Sequence, residues 1–585
     1  MKTLRPLFVF VICLLLMNVE AQIIHVPGDQ PTIQDGIDAA LFMDTILVAD
    51  GHYFENIDFS GKPITVASEF IIDGDTNHIN NTIIDGSQPS NPDNGSVVYF
   101  QNWEDTTSVL CGFTITRGTG TWEPSIQGRV SGGIAIENCG AKIMYNYIIN
   151  NQIISSGVGS GGGIGVGDPY NNPNYVVIKY NRIKNNTVEA TGAVEGGGIA
   201  IFCNGIITNN IISNNEISSQ NDWAVGGGIR CYGTGDSRYV NCSHNIISYN
   251  TVSSGSVVVY GGAGGMQAYN CFGNISNNSI QFNETTGPTG SLAGGLHFGY
   301  CGTSMILENN LISKNTSNFE NSGGLGGGVT LNSSNIQLIN NVIVLNYAEK
   351  GGGIYNNLNL DGPTQFINNT IADNEGDGDG TAIYLEDADA IVLNSILWND
   401  GNEIYVSGGS IEIAYSDVWG GWEGEGNIDC DPDFVPDDPI YHINGGCCHN
   451  TGIDEFEFGG ITYYAPDKDY DGDWRPQGPY WDIGADECLM VGIPDFEVNG
   501  SFQLEINPNP SSGALHLRYQ ISETGYHKCE LISMDGLLVK TLMIGIQQPG
   551  KYELEIDLSD LPNGLYLIRF QAGDRVETAK IILQK

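Results

Sequence analysis

Gly196-Gly197-Gly198-Ile199-Ala200-Ile201, followed by Asn210-Ile211-Ile212-Ser213-Asn214-Asn215, is the stretch on which the fold turns. Its second half, Asn-x-apolar-x-x-Asn, recurs nine times, beginning at Asn146, Asn181, Asn210, Asn245, Asn278, Asn310, Asn341, Asn369 and Asn394, at spacings of 25–35 residues. Its first half, a glycine run leading into Ile or Val, precedes six copies, starting at Gly132, Gly161, Gly196, Gly226, Gly326 and Gly351. The apolar runs between the markers, such as Ile206-Ile207-Thr208, are too short for helices and are bounded by turn residues. Three short strands per unit of about thirty residues describe one coil of a parallel β-solenoid. Stacking gives the asparagines a purpose: each amide bonds to its counterpart one coil away, and Asn tolerates the left-handed backbone of a tight bend. Cys139, Cys203 and Cys271 each fall seven residues before a repeat asparagine, and are expected to form a buried column of small side chains.

Composition agrees with an all-β reading. Glycine supplies 79 of 585 residues, about twice the usual share. Gly and Asn are poor helix formers, which excludes coiled coils and helical bundles. A hydrophobic fraction of 41% excludes global disorder. With 23 Lys+Arg against 68 Asp+Glu, the net charge of −45 excludes a general electrostatic grip on nucleic acid or an anionic membrane.

Residues 1–21 read as a signal peptide. Lys2 and Arg5 precede the apolar stretch Leu7 to Met17, and Val19-Glu20-Ala21 is a small-residue cleavage site. The apolar run is too short to span a bilayer, and no later stretch is long enough. Export permits disulfides, and the states of Cys430, Cys447, Cys448 and Cys488 stay open. No C-x-x-C pair exists, so a structural zinc site is not expected.

Residues 22–400 resemble the right-handed parallel β-helix proteins of the pectin-lyase-like superfamily. The carriers are His25-Val26-Pro27, Pro31-Thr32-Ile33-Gln34, Asp44-Thr45-Ile46-Leu47-Val48 and Cys111-Gly112-Phe113-Thr114-Ile115-Thr116. The resemblance implies a short N-terminal helix that plugs the hydrophobic end, with Ile33, Ile37 and Leu41 facing inward. Residues 401–490 are similar to the choice-of-anchor Q type of β-helix ending. That likeness rests on Tyr415-Ser416-Asp417-Val418, Asp431-Pro432-Asp433-Phe434 and Trp481-Asp482-Ile483-Gly484-Ala485-Asp486-Glu487. Gly445-Gly446-Cys447-Cys448-His449 departs from that family's pattern. After a linker, 491–505, residues 506–585 resemble the type A sorting domain of the type IX secretion system. Asn507-Pro508-Asn509-Pro510, Asp535-Gly536, Leu561-Pro562-Asn563-Gly564-Leu565-Tyr566 and the basic end Lys580…Lys585 carry the likeness. It implies a small antiparallel β-sandwich. It also implies the secretion machinery as partner, and release or attachment at the outer surface of a Gram-negative bacterium.

Chemistry is harder to find. There is no His-Glu-x-x-His and no Gly-x-Ser-x-Gly. The solenoid's cations, chiefly Lys142, Lys179, Arg182, Lys184, Arg230 and Arg238, form no clean constellation. Asp467, Asp469, Asp471 and Asp473 alternate around Gly472, as a calcium (Ca2+) site or as a solvated acidic turn. Two coils carry longer insertions after the same strand, with Asp168, Tyr170 and Tyr175 in one and Tyr232, Asp236, Arg238 and Tyr239 in the other. Exposed aromatics beside Asp and Arg suit sugar stacking and hydroxyl binding. Two function classes follow. The first is a surface protein that binds polysaccharide, or another extracellular surface, without catalysis. The alternative is an extracellular polysaccharide lyase or glycoside hydrolase.

Overall fold

In the computed structural model the repeat becomes coils whose equivalent residues pair one coil apart. The structure describes residues 21–167, 175–233, 238–255, 260–288, 291–320, 323–360, 362–377, 379–488, 504–509, 511, 513–521, 525–533, 538–547, 550–559, 561–572 and 575–584. The predicted signal peptide lies almost wholly outside them. The chain divides into two compact units, Met1–Met490 and Val491–Lys585. No helix among the described residues is long and apolar enough to cross a membrane.

One central coil shows how the first unit is built. It contains the strands Ile199–Ile201, Asn204–Thr208, Ile211–Ser213, Glu216–Ser219 and Ala224–Val225. The central coils thus hold five strands where three were expected. Ile199 pairs in parallel with Ile164 of the preceding coil and Ile229 of the next. Alternation along each strand sends Ile199, Ile201, Ile207 and Ile212 into one core that is continuous along the solenoid. The two additional strands form a ridge with its own small core of Ile153, Val188, Ile217, Ala224 and Val252. Glycines make the turn back from the ridge. Gly196 takes φ 61°, and a Cβ on Gly198 would lie 2.6 Å from the Gly228 carbonyl oxygen.

The asparagines stack in two buried columns, as the spacing predicts. Asn278 Oδ1 accepts the N–H of Asn245 (2.9 Å) and its Nδ2–H (3.0 Å). Asn278 Nδ2 donates to Asn310 Oδ1 (3.0 Å) and to the Cys242 carbonyl (2.9 Å). The left-handed backbone, however, falls one residue earlier. Asn209, Asn277, Tyr249 and Phe282 have φ of 55–57°, whereas Asn278 is not left-handed. Register also slips at the end. Asn394 itself is left-handed (φ 49°), and Ser395 takes the ladder place, its Oγ accepting the Asn369 N–H at 3.1 Å. The cysteine column is buried, and its members take part in no disulfide.

The first end of the core is closed by helix α1, Ile33–Ala39, whose Ile33 and Ile37 are fully buried. Leu41 is 65% exposed, not inward-facing. The helix stops at Ala40, whose extended backbone (ψ 145°) sends the following residue outward, and Ala40 itself is buried. Near the other end, one disulfide joins Cys430 to Cys447, while Cys448 and Cys488 are buried free thiols. The segment 446–488 then returns over the outside of the 13-stranded sheet. Asn340 Nδ2 donates to the Lys468 carbonyl (2.7 Å), and the Ala485 N–H donates to Thr370 Oγ1 (3.0 Å).

The second unit has a three-stranded and a four-stranded antiparallel sheet. Leu515, Leu517 and Tyr519 of the first share one core with Leu531, Ile568 and Phe570 of the second. Its first strand, Leu504–Asn507, begins just before the boundary expected from composition.

Candidate functional site

The strand that follows each glycine turn alternates inward and outward residues. Its second residue faces away from the main core, and in most early coils it is small: Ala135, Gly165, Ala200. Three successive coils break that rule. Arg230 pairs with Gln267, Gln267 with His297, and His297 with Thr330. The three polar side chains nonetheless lie buried, at 5%, 2% and 2% exposure. The ridge explains this, because its turn folds back over the row: a Cβ on Gly226 would lie 3.0 Å from Arg230 Cβ.

The ridge strand Val194–Glu195 brings a carboxylate to the row, with Glu195 Oε1 3.8 Å from Arg230 Nη2. Burial pushes the Glu195 carboxyl up, against the pull of the Arg230 charge. Burial, reinforced by that same charge, pushes the His297 imidazole down to about 3, so it is neutral at pH 7. Gln267 Nε2 and His297 Nδ1 lie 3.0 Å apart. Arg230 Nε, Gln267 Oε1 and His297 Nε2 are buried without a hydrogen-bond partner among the described residues.

Two residues further along the first two strands stand Tyr232 and Tyr269, while in the third that place is Gly299 and the ring comes from Tyr300, one residue later. Tyr232 and Tyr269 stack at 5.0 Å between ring centroids, Tyr269 and Tyr300 stand at 5.2 Å, and Phe202 meets Tyr232 edge-on at 6.1 Å. The Arg230 guanidinium lies 4.6 Å from the Tyr232 ring centre and 5.9 Å from that of Tyr269. Tyr300 is half-exposed, at 51%.

The seven residues expected on the two insertions are distributed unevenly. Asp168, Tyr170 and Asp236 lie outside the described residues. Tyr232 joins the aromatic row just described. Tyr175 and Tyr239 sit on a different row: Tyr175 pairs with Asn204, and the Tyr239 N–H donates to Asn204 Oδ1 (2.9 Å). Tyr239 is half-buried, not exposed on a loop, because it belongs to strand Arg238–Ser243 and its ring packs 5.7 Å from Phe272. Arg238 begins that strand with its Nε buried and unpartnered. Gln267, His297, Tyr269 and Glu195 were missed by sequence reasoning. A signal was available for the first two: a large polar residue directly after the Met266 or Leu296 that ends each glycine turn, where three earlier coils place Ala135, Gly165 and Ala200.

The four aspartates of the acidic turn do not converge. Asp467 and Asp473 are exposed, whereas Asp469 is fully buried and accepts the N–H of Asp473 (2.8 Å) and of Glu487 (3.1 Å). Asp471 pairs with His442 Nε2 at 2.7 Å. Among the described residues only Asp471 of the four joins a group of three potential metal ligands, with His442 and Asp486.

A search of curated proteins found no match to the chain. Residues 505–584 match the family described as the secretion system C-terminal sorting domain, so the chain joins a parallel β-solenoid to a type IX sorting domain, which sends it to the cell surface or the extracellular space.

Proposed function

We propose that the solenoid is a surface-displayed binding module that holds saccharide on the aromatic row Tyr232, Tyr269 and Tyr300. The observation that carries this reading is the regular spacing of the rings, one per coil, running out to a half-exposed tyrosine. Aromatic faces and edges pack against the apolar faces of sugars while phenol hydroxyls bond to sugar hydroxyls. The experiment is a polysaccharide array probed with the parent and with Tyr269→Ala and Tyr300→Ala. Binding by the parent, weakened at least tenfold by either change with melting temperature within a few degrees, is expected. A parent that binds no saccharide, or variants that bind as well as the parent, overturns the reading.

One observation favours a catalytic reading as the alternative. Glu195 is a buried carboxyl with a raised pKa beside a cation, the arrangement of a general acid. Release of reducing-end or unsaturated products by the parent, lost in Glu195→Gln, would establish that reading in place of simple binding.

A further inference from the structure

We propose that Arg230, Gln267 and His297 form a subsite for an oxyanion, a carboxylate or a sulfate ester, carried by the saccharide that stacks on the adjoining tyrosines. The subsite deepens the proposed function and rests on it for the identity of the carrier.

A buried cation without close partners is costly, and Arg230 is 5% exposed. Among the described residues, the one carboxylate paired with it stands 3.8 Å away, beyond hydrogen-bond distance. Arg230 Nε has no acceptor among the described residues. The guanidinium lies over two tyrosine rings, which position its fork without using its N–H groups. An oxyanion supplies the planar or tripodal acceptor set that an arginine fork binds best.

The next two coils specify the rest of the ligand. With the Gln267 amide nitrogen donating to His297 Nδ1, the imidazole proton sits on Nε2. That leaves Gln267 Oε1 as a free acceptor and His297 Nε2–H as a free donor, both buried. A hydroxyl both donates and accepts, so a ligand hydroxyl can donate to the first or accept from the second. Adjacent coils are about 4.8 Å apart. The ligand that fits therefore carries an oxyanion and, about one coil away, a hydroxyl. Buried polar groups of this kind discriminate strongly, because a ligand lacking the matching group leaves them unpaired.

The test uses the full chain and titration calorimetry with four probes: oligogalacturonate, its methyl ester, a sulfated galactan oligosaccharide and the neutral galactan. At least one charged probe is expected to bind at least tenfold tighter than its uncharged counterpart, and which one does so separates carboxylate from sulfate. Arg230→Gln should abolish that preference, and Arg230→Lys, which keeps the charge without the fork, should fall between. Equal binding of charged and uncharged probes, or an unchanged preference in Arg230→Gln, overturns the subsite. If no oligosaccharide binds, the tyrosine reading fails and the subsite is decided by the ions alone. Acetate or sulfate, against chloride at equal ionic strength, must then raise the melting temperature of the parent more than that of Arg230→Gln. Equal shifts overturn it.

Discussion

Asn277 and Asn278 are neighbours under different constraints. Asn277 is exposed and left-handed (φ 55°), whereas Asn278 is buried and bonds to the coils on both sides. Asn278→Val strands the Asn245 N–H and the Cys242 carbonyl, and is expected to cost roughly 2–4 kcal/mol through unpaired buried groups. Asn277→Val meets a different penalty, about 1–2 kcal/mol for a β-branched residue in left-handed backbone, and Asn277→Gly should relieve it. Urea unfolding of the three variants checks both magnitudes. A neutral Asn278→Val would mean that the ladder bonds contribute nothing, and equal losses for Val and Gly at 277 would remove the backbone argument. The same split was only half legible in the sequence. The repeat marks Asn278, but that the left-handed turn falls on the residue before it, Asn277 here and Tyr180 or His244 in other coils, depends on where the chain turns out of one sheet and into the next.

The second asparagine column shows how an element of this kind is closed. Asn151 to Asn399 form a continuous ladder in which every Oδ1 accepts from the coil before it, so the last residue needs an acceptor of its own. Glu403 supplies it, taking the Asn399 N–H at 2.6 Å and Nδ2–H at 2.7 Å. Burial pushes the Glu403 carboxyl up to about 7, outweighing those two bonds. Its folded pKa is thus raised above the unfolded value of about 4.3. Such a carboxyl favours the folded state at low pH, and its contribution is lost as pH rises from about 4.3 through 7. The parent is therefore expected to lose up to about 3 kcal/mol across that interval from this group. Glu403→Gln should be less stable at acid pH, since its NH2 faces a donor, yet lose less on going to pH 8. Parallel stability–pH curves for the two proteins would remove Glu403 from the account.

At the scale of the whole molecule, each unit has its own hydrophobic core. Deleting residues 505–584 is therefore expected to leave a folded solenoid that the secretion machinery no longer recognises. In a host with type IX secretion, fractionation should find the truncated protein in the periplasm and the parent outside the cell. Surface delivery of the truncated protein would sink the role assigned to the sorting domain.

The sequence alone determined the solenoid, its ladders and its export, because each is written in contiguous motifs: an asparagine pair every 25–35 residues, a glycine turn before a short strand, and a run of sorting-domain turns. A periodic chain repeats its local geometry, so its register can be read from the period. The tertiary structure decided what encloses what. Leu41 lies outside because α1 ends at Ala39, two residues before it, and the extended Ala40 turns the chain outward. Asp471 meets His442, and Asp469 the Glu487 N–H, only because the segment 446–488 folds back on itself and onto the sheet. Arg230, Gln267 and His297 occupy positions that look outward by alternation, and only a ridge from other parts of each coil buries them. Burial by segments distant in the chain leaves no local pattern, and it is that burial which turns three polar side chains into a candidate site.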